Sequence, residues 1–226
     1  NALVNAASLN AFATGLPAGL PRKHFEAAVE AHHGQPGAFF LEAALDGGYF
    51  SELLARIEPL ADEEQALIEP LARQQVEQFH LMLVVRGKFN HGFTPESLFS
   101  LRVSGFGAAG ERFKTMLAAN DISAVAKLGL GHVFDELPGT PGTAENATAM
   151  DPAVLESLAA RRFLRLANDV FRRSHLGLAA VVGYLEIRRV EVANLITLSE
   201  GIRLGVAPET IRARLTRRAN HEEFYV

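Results

Sequence analysis

The chain has no cysteine among its 226 residues. That excludes a disulfide framework and any thiolate-bound metal, and it suits a reducing compartment such as the cytosol. A large excess of charge of either sign is also missing. Its 22 Lys and Arg stand against 26 Asp and Glu, a formal net charge of −4 with His neutral, so there is no global basic field for nucleic acid or acidic lipid. Long hydrophobic runs are absent too. The densest, Leu176 to Leu185, falls well short of the roughly 20 residues that a membrane-spanning helix needs. No Gly-x-x-x-x-Gly-Lys phosphate loop occurs. Residues 1–21 carry no charged side chain and lack the basic start of a signal peptide. Because the chain opens on Asn-Ala rather than Met, residues 1–21 read as a tag remnant or linker on a truncated protein.

What is present is an ordinary globular composition, 48% hydrophobic and 21% charged, long enough for one large domain or two small ones. Within it one block occurs twice. Glu77-Gln-Phe-His80-Leu81 leads to Gly87, Gly92 and Pro95-Glu96, and Glu191-Val-Ala-Asn194-Leu195 leads to Gly201, Gly205 and Pro208-Glu209. Ten residues separate Glu from the first Gly in both copies, and three separate the second Gly from Pro. The glycines are five apart in the first copy and four in the second. Blocks matched at a distance of 114 residues point to a duplicated helical unit. The expected units are residues 22–110 and 111–226.

From Pro21 onward the pattern is helical, and continuous alternation of apolar and polar residues is nearly absent. The fold class is all-α. Expected helices are 22–33, 38–45, 49–57, a long one from about Asp62 to Phe89, 110–119, 122–128, 153–175 and 177–203. Asp46-Gly47-Gly48 should split the second from the third, and Pro70 should kink the long helix or mark its start. Thr94-Pro95-Glu96 predicts a well-capped short helix, whereas Ala207 leaves its counterpart weakly capped. Gly92 and Gly205 read as left-handed helix stops. Tyr184, Ile187, Glu191, Asn194, Leu198 and Gly201 share one helical face. A Glu and an Asn on that face should be buried and partnered, by a neighbouring helix end or an arginine. Gly87 and Gly201 should admit another backbone.

Three patterns carry weaker chemistry. Gly105-Phe-Gly107-Ala-Ala-Gly110 matches a dinucleotide fingerprint in form, but Asp121 comes too early for the ribose acid and no second strand precedes it. Glu30-x-x-His33 and Glu77-x-x-His80, with Glu186 or Glu191, are the residue types of a carboxylate-bridged di-metal bundle. Against that reading, Glu30 and His33 end a short helix just before Gly34 and Pro36. Arg161, Arg162, Arg165, Arg172 and Arg173 form a basic stretch, either a solvated face or a dock for an acidic partner.

Glu-x-x-Asn-Leu followed by Gly-x-x-x-Gly-x-x-Pro-Glu-x-Ile near the C-terminus resembles the C subunit of A/V-type rotary ATPases and its eukaryotic counterpart, the d subunit of the V-ATPase. Arg22-Lys-His-Phe25 and the stretch from Gly177 through Tyr184 to Glu186 resemble other parts of that family, while His80 stands where the motif usually has Asn. The resemblance implies three related helical units forming a funnel, of which the first is missing here. It implies a non-catalytic connector, without cofactor, metal or small-molecule substrate. Its partners would be the proteolipid ring and the central stalk, on the cytoplasmic face of the membrane. A di-metal enzyme and an unrelated helical adaptor are the alternatives.

Overall fold

The computed structural model describes residues 8–16, 18–31, 38–103, 107–136 and 152–216, and all regular structure among them is helical. In chain order the helices are α1 (Leu9–Gly15), α2 (Leu20–Ala31), α3 (Ala38–Ile57), α4 (Asp62–Val84), α5 (Pro95–Phe99), α6 (Gly107–Ala118), α7 (Ile122–Leu130), α8 (Pro152–Arg173), α9 (Leu178–Arg203) and α10 (Pro208–Arg214). A π-helical turn, Val85–Asn90, continues α4, and a 3-10 turn, Gly131–Glu136, continues α7. The all-α expectation holds. None of these helices is long and apolar enough to cross a membrane.

Helix α4 is central. Its C-terminal half joins Phe40 of α3, Leu98 of α5, Phe113 and Met116 of α6 and Val125 of α7 in one apolar cluster. Its N-terminal half, through Ile68 and Leu71, joins Phe163, Leu164 and Ala167 of α8 and Ala179 and Ile187 of α9 in another. Helices α8 and α9 run back along each other as a hairpin. Gly183 is what lets them close: a methyl group there would lie 2.9 Å from the backbone nitrogen of Phe171 and 3.0 Å from the carbonyl oxygen of Ala167. The start of α9 is held from outside, because the Glu64 carboxylate accepts the N–H groups of Leu178 and Ala179 at 2.9 and 2.7 Å. A carboxylate at a helix N-terminus satisfies orphan donors and complements the dipole. We expect Glu64→Ala to lower stability by about 1–2 kcal/mol, measured by urea unfolding.

Several expectations change. Gly47 and Gly48 do not break a helix; they lie inside the continuous α3. Gly48 is instead a close-approach site, where a methyl group would meet His24 Nδ1 at 2.5 Å, and one on Gly47 would lie 3.3 Å from the Leu101 carbonyl oxygen. Pro70 sits within α4 without ending it. Pro70 and Ala66, whose carbonyl loses its helical partner, are both exposed, so the lost bond lies on the solvent side of the helix rather than in the core. Within residues 1–21 the described part, residues 8–16 and 18–21, is helical and packed. Ser8 caps α1 through a bond from the Ala11 N–H, and Phe12 packs on Phe25 of α2 at 5.1 Å between ring centroids. Of the glycine-rich 105–110 stretch the described part, residues 107–110, opens helix α6, and the element before it is helix α5 rather than a strand. The expected boundary between residues 110 and 111 falls inside that same helix. The expected Pro- and Thr-rich loop, 137–151, lies outside the described residues.

Candidate functional site

The duplicated block builds the same substructure twice. In the second copy α9 stops at Gly205, whose φ of 66° is left-handed. The Gly205 N–H reaches back to the Ile202 carbonyl at 3.1 Å and the Val206 N–H to that of Gly201 at 2.9 Å, the paired bonds of a Schellman stop. In the first copy Gly92 plays that part at a φ of 70°, with one residue more between the glycines. The π-helical turn absorbs it. There the Phe93 N–H reaches the Gly87 carbonyl at 2.9 Å, one residue further back than in the second copy. A single π-turn is how a helix accommodates one inserted residue.

Beyond each stop a short helix begins with proline. Thr94 caps α5 by accepting the Ser97 N–H, whereas Ala207 offers α10 no side-chain cap, as their residue types predict. Glu96 and Glu209 occupy the first turns, where a negative charge complements the helix dipole. The third residue after each proline then turns back onto the long helix. A methyl group on Gly87 would lie 2.4 Å from Leu98 Cδ2, and one on Gly201 would lie 2.7 Å from Ile211 Cδ1. These glycines therefore receive a side chain, not the expected backbone. The close backbone approach occurs at Gly183.

His80 and Asn194 pin the chain that leaves the short helix. His80 Nε2 accepts the Val103 N–H at 3.1 Å. Asn194 grips Thr216 with both amide atoms, Oδ1 accepting its N–H at 2.9 Å and Nδ2 donating to its carbonyl at 2.8 Å. Val103 and Thr216 each stand eight residues after the proline. His and Asn thus do one task at matched positions: each presents an acceptor to one backbone N–H. His80 is buried and stacks on Phe113 at 4.4 Å, and burial pushes its pKa down to about 4, so it is neutral at pH 7.

The two glutamates differ. Glu77 is largely buried and accepts Arg112 Nη1 of α6 at 2.6 Å, with Arg162 of α8 at 3.3 Å, so it ties three helices together. Glu191 is half-buried and pairs with Arg188 on its own helix. On the expected buried face of α9, Ile187 and Gly201 are buried and Asn194 is half-buried, but Tyr184 and Leu198 are exposed. We therefore expect Asn194→Leu to cost about 1–3 kcal/mol by stranding the Thr216 backbone. Chemical denaturation of the variant checks the cost. The basic stretch also divides: Arg162 bonds Glu77 and the Gly129 carbonyl, while Arg172 and Arg173 lie exposed at the end of α8.

A family model described as ATP synthase (C/AC39) subunit matches residues 1–214. The chain belongs to this family. The chain is also similar to the C subunit of the A-type ATP synthase of Methanosphaera stadtmanae, with 22% identity over 160 residues, 69% of this chain. It spans 40% of that relative's length. No solved structure matches.

Two of the residues named for the di-metal alternative already have partners. Glu77 faces two arginines and His80 Nε2 faces an N–H donor, so neither presents a free ligand atom. Glu30 is exposed on α2 and His33 lies outside the described residues. Among the described residues no three metal-binding side chain types converge.

Proposed function

We propose that the chain is a non-catalytic connector of an A/V-type rotary ATPase or ATP synthase, joining the central stalk to the proteolipid ring at the cytoplasmic face of the membrane. The family match over residues 1–214 carries this reading. The relative's name, which makes it the C subunit of an A-type ATP synthase, supports the assignment to such a complex. The duplicated block supports a mechanical role. Its motif residues, Glu77, His80, Gly87, Gly92, Pro95, Glu96, Glu191, Asn194, Gly201, Gly205, Pro208 and Glu209, serve as ion pairs, backbone pins, side-chain seats, stops and helix starts. Packed helical interiors have low compressibility and transmit strain, as a torque-bearing element requires.

We further propose two structural units, α1–α5 and α6–α10, belonging to a pseudo-threefold funnel. Helices α3, α4 and α5 recur as α8, α9 and α10 at a distance of 113 to 114 residues along the repeated block. Attachment to the membrane would be through protein contacts with the ring. Reconstitution with purified proteolipid ring and central-stalk proteins tests the role: the chain should co-sediment with both, and binding to neither while the other components assemble would leave an unrelated helical adaptor.

A further inference from the structure

The two copies differ beside the glycine stop. In the first, Phe39 and Phe40 of α3 close on Phe93 with ring centroids 5.2 and 4.6 Å apart, and Phe40 is 2% exposed. In the second their counterparts are Ala153, Val154 and Val206, and Val154 is 40% exposed. Three rings give way to small aliphatic side chains. What remains is a cleft of about 640 Å³ between α8, α9 and α10, lined by Ser157, Ile196, Leu204, Ile211 and Thr216 among others. Ser157 stands where the first copy has Ala43. Its hydroxyl is buried and has no hydrogen-bond partner among the described residues, a condition that buried polar groups rarely keep.

We propose that the chain's own residues 217–226 fold back into this cleft and seat Phe224 and Tyr225 where the first copy seats Phe39 and Phe93. The segment starts at the right place. Thr216, the described residue before it, lines the cleft and is gripped by both amide atoms of Asn194. The segment is also long enough. From Asn194 to Leu204 the cleft follows ten residues of α9, about 15 Å. The eight residues from Thr216 to Phe224 span about 26 Å when extended. It carries the missing rings as well. Outside the described residues, Phe and Tyr occur at Phe106, next to the start of α6, and at Phe224 and Tyr225. Tyr225 brings a hydroxyl for Ser157, and Glu222 and Glu223 return past Arg214 on the lining. A tethered segment meets its seat at an effective concentration on the order of mM, so a seat too weak to hold a free peptide is filled by this one. The seating depends on the duplication alone, not on whether the chain binds stalk or ring.

The chain has no tryptophan, so Phe224→Trp in the whole chain adds a single reporter. Its emission should lie at short wavelength and be quenched by acrylamide severalfold less than after Ala153→Phe and Val206→Phe are added. Those two changes restore the first copy's rings, fill the cleft and expel the segment. The absence of cysteine gives a second readout that does not depend on how the filled variant folds. Ser157→Cys combined with Tyr225→Cys should close an intrachain disulfide on mild oxidation. Arg172→Cys combined with Tyr225→Cys should not, because Arg172 lies 15 residues further along α8, about 22 Å away. A fully exposed tryptophan, protection unchanged by filling the cleft, or a disulfide formed by neither pair or equally by both would overturn the proposal. So would disulfide-linked dimers in place of the intrachain bond, since the occupant would then be the segment of a second chain.

Discussion

Gly183→Val is expected to destabilise the chain by about 3 kcal/mol or more, while Gly110→Ala should leave stability unchanged or raise it by up to about 1 kcal/mol. Both glycines lie within helices, so propensity alone favours replacing either. Their surroundings decide the sign. A methyl group on Gly110 meets nothing within 4 Å, whereas one on Gly183 lies 2.9 Å from Phe171 N and 3.0 Å from Ala167 O. Those are backbone atoms of α8, which cannot swing aside as the end of a side chain can. Two branched methyls would force α8 and α9 apart and open the cluster of Ala167, Val170, Ala179 and Ile187. For a chain of this size the loss corresponds to a melting temperature lower by about 6–12 °C. A Gly183→Val protein melting within about 2 °C of the parent would show that α8 and α9 are not spaced by this glycine.

Gly183 also marks where reading the sequence reaches its limit. The long helices, the glycine stops and the proline starts were legible because each has a local cause: periodicity, a left-handed residue, a fixed φ. The need for a partner on Asn194 was legible as well, since a polar group on an apolar face requires one, and Glu77 and His80 hold the matching places in the first copy. The partners themselves were not. Arg112, Arg162, Val103 and Thr216 lie 22 to 85 residues away, and nothing local announces them. Gly47 and Gly48 misled for the related reason that a glycine break and a glycine seat look alike until the neighbour is known. Here the neighbours are His24 and Leu101. The expected burial of the α9 stripe held at Ile187 and Gly201 and failed at its other apolar positions. Apolar residues at helical spacing show that a face wants cover, and Tyr184 at 49% and Leu198 at 40% exposure show that the cover is not supplied by the described residues. The extra residue between Gly87 and Gly92 was visible as a count, but only the backbone shows that a π-turn absorbs it.

The second large effect is a loss of stability in mild acid that originates at His80. Its Nε2 accepts the Val103 N–H at 3.1 Å, so that nitrogen must be unprotonated in the fold. Adding a proton buries a charge beside Phe113 and sets one donor against another. Burial lowers the folded pKa to about 4, against 6.5 for the free side chain. Between those values the unfolded chain holds the proton and the folded chain does not, so stability falls as pH drops. The contribution is complete above about pH 6.5 and gone below about pH 4, a total of about 3 kcal/mol for a shift of this size. Urea unfolding at pH 7, 5.5 and 4.5 should show the decline, on top of whatever the carboxylates add. His80→Asn isolates the histidine, because Asn194 already meets the same demand in the second copy by accepting the Thr216 N–H through Oδ1. The variant should lose some stability at pH 7 with the Phe113 stacking, yet its decline towards pH 4.5 should be shallower than the parent's by about 2–3 kcal/mol. Parallel declines in the two proteins would mean that His80 already binds its proton in the fold, and the Val103 bond would then have to be redrawn.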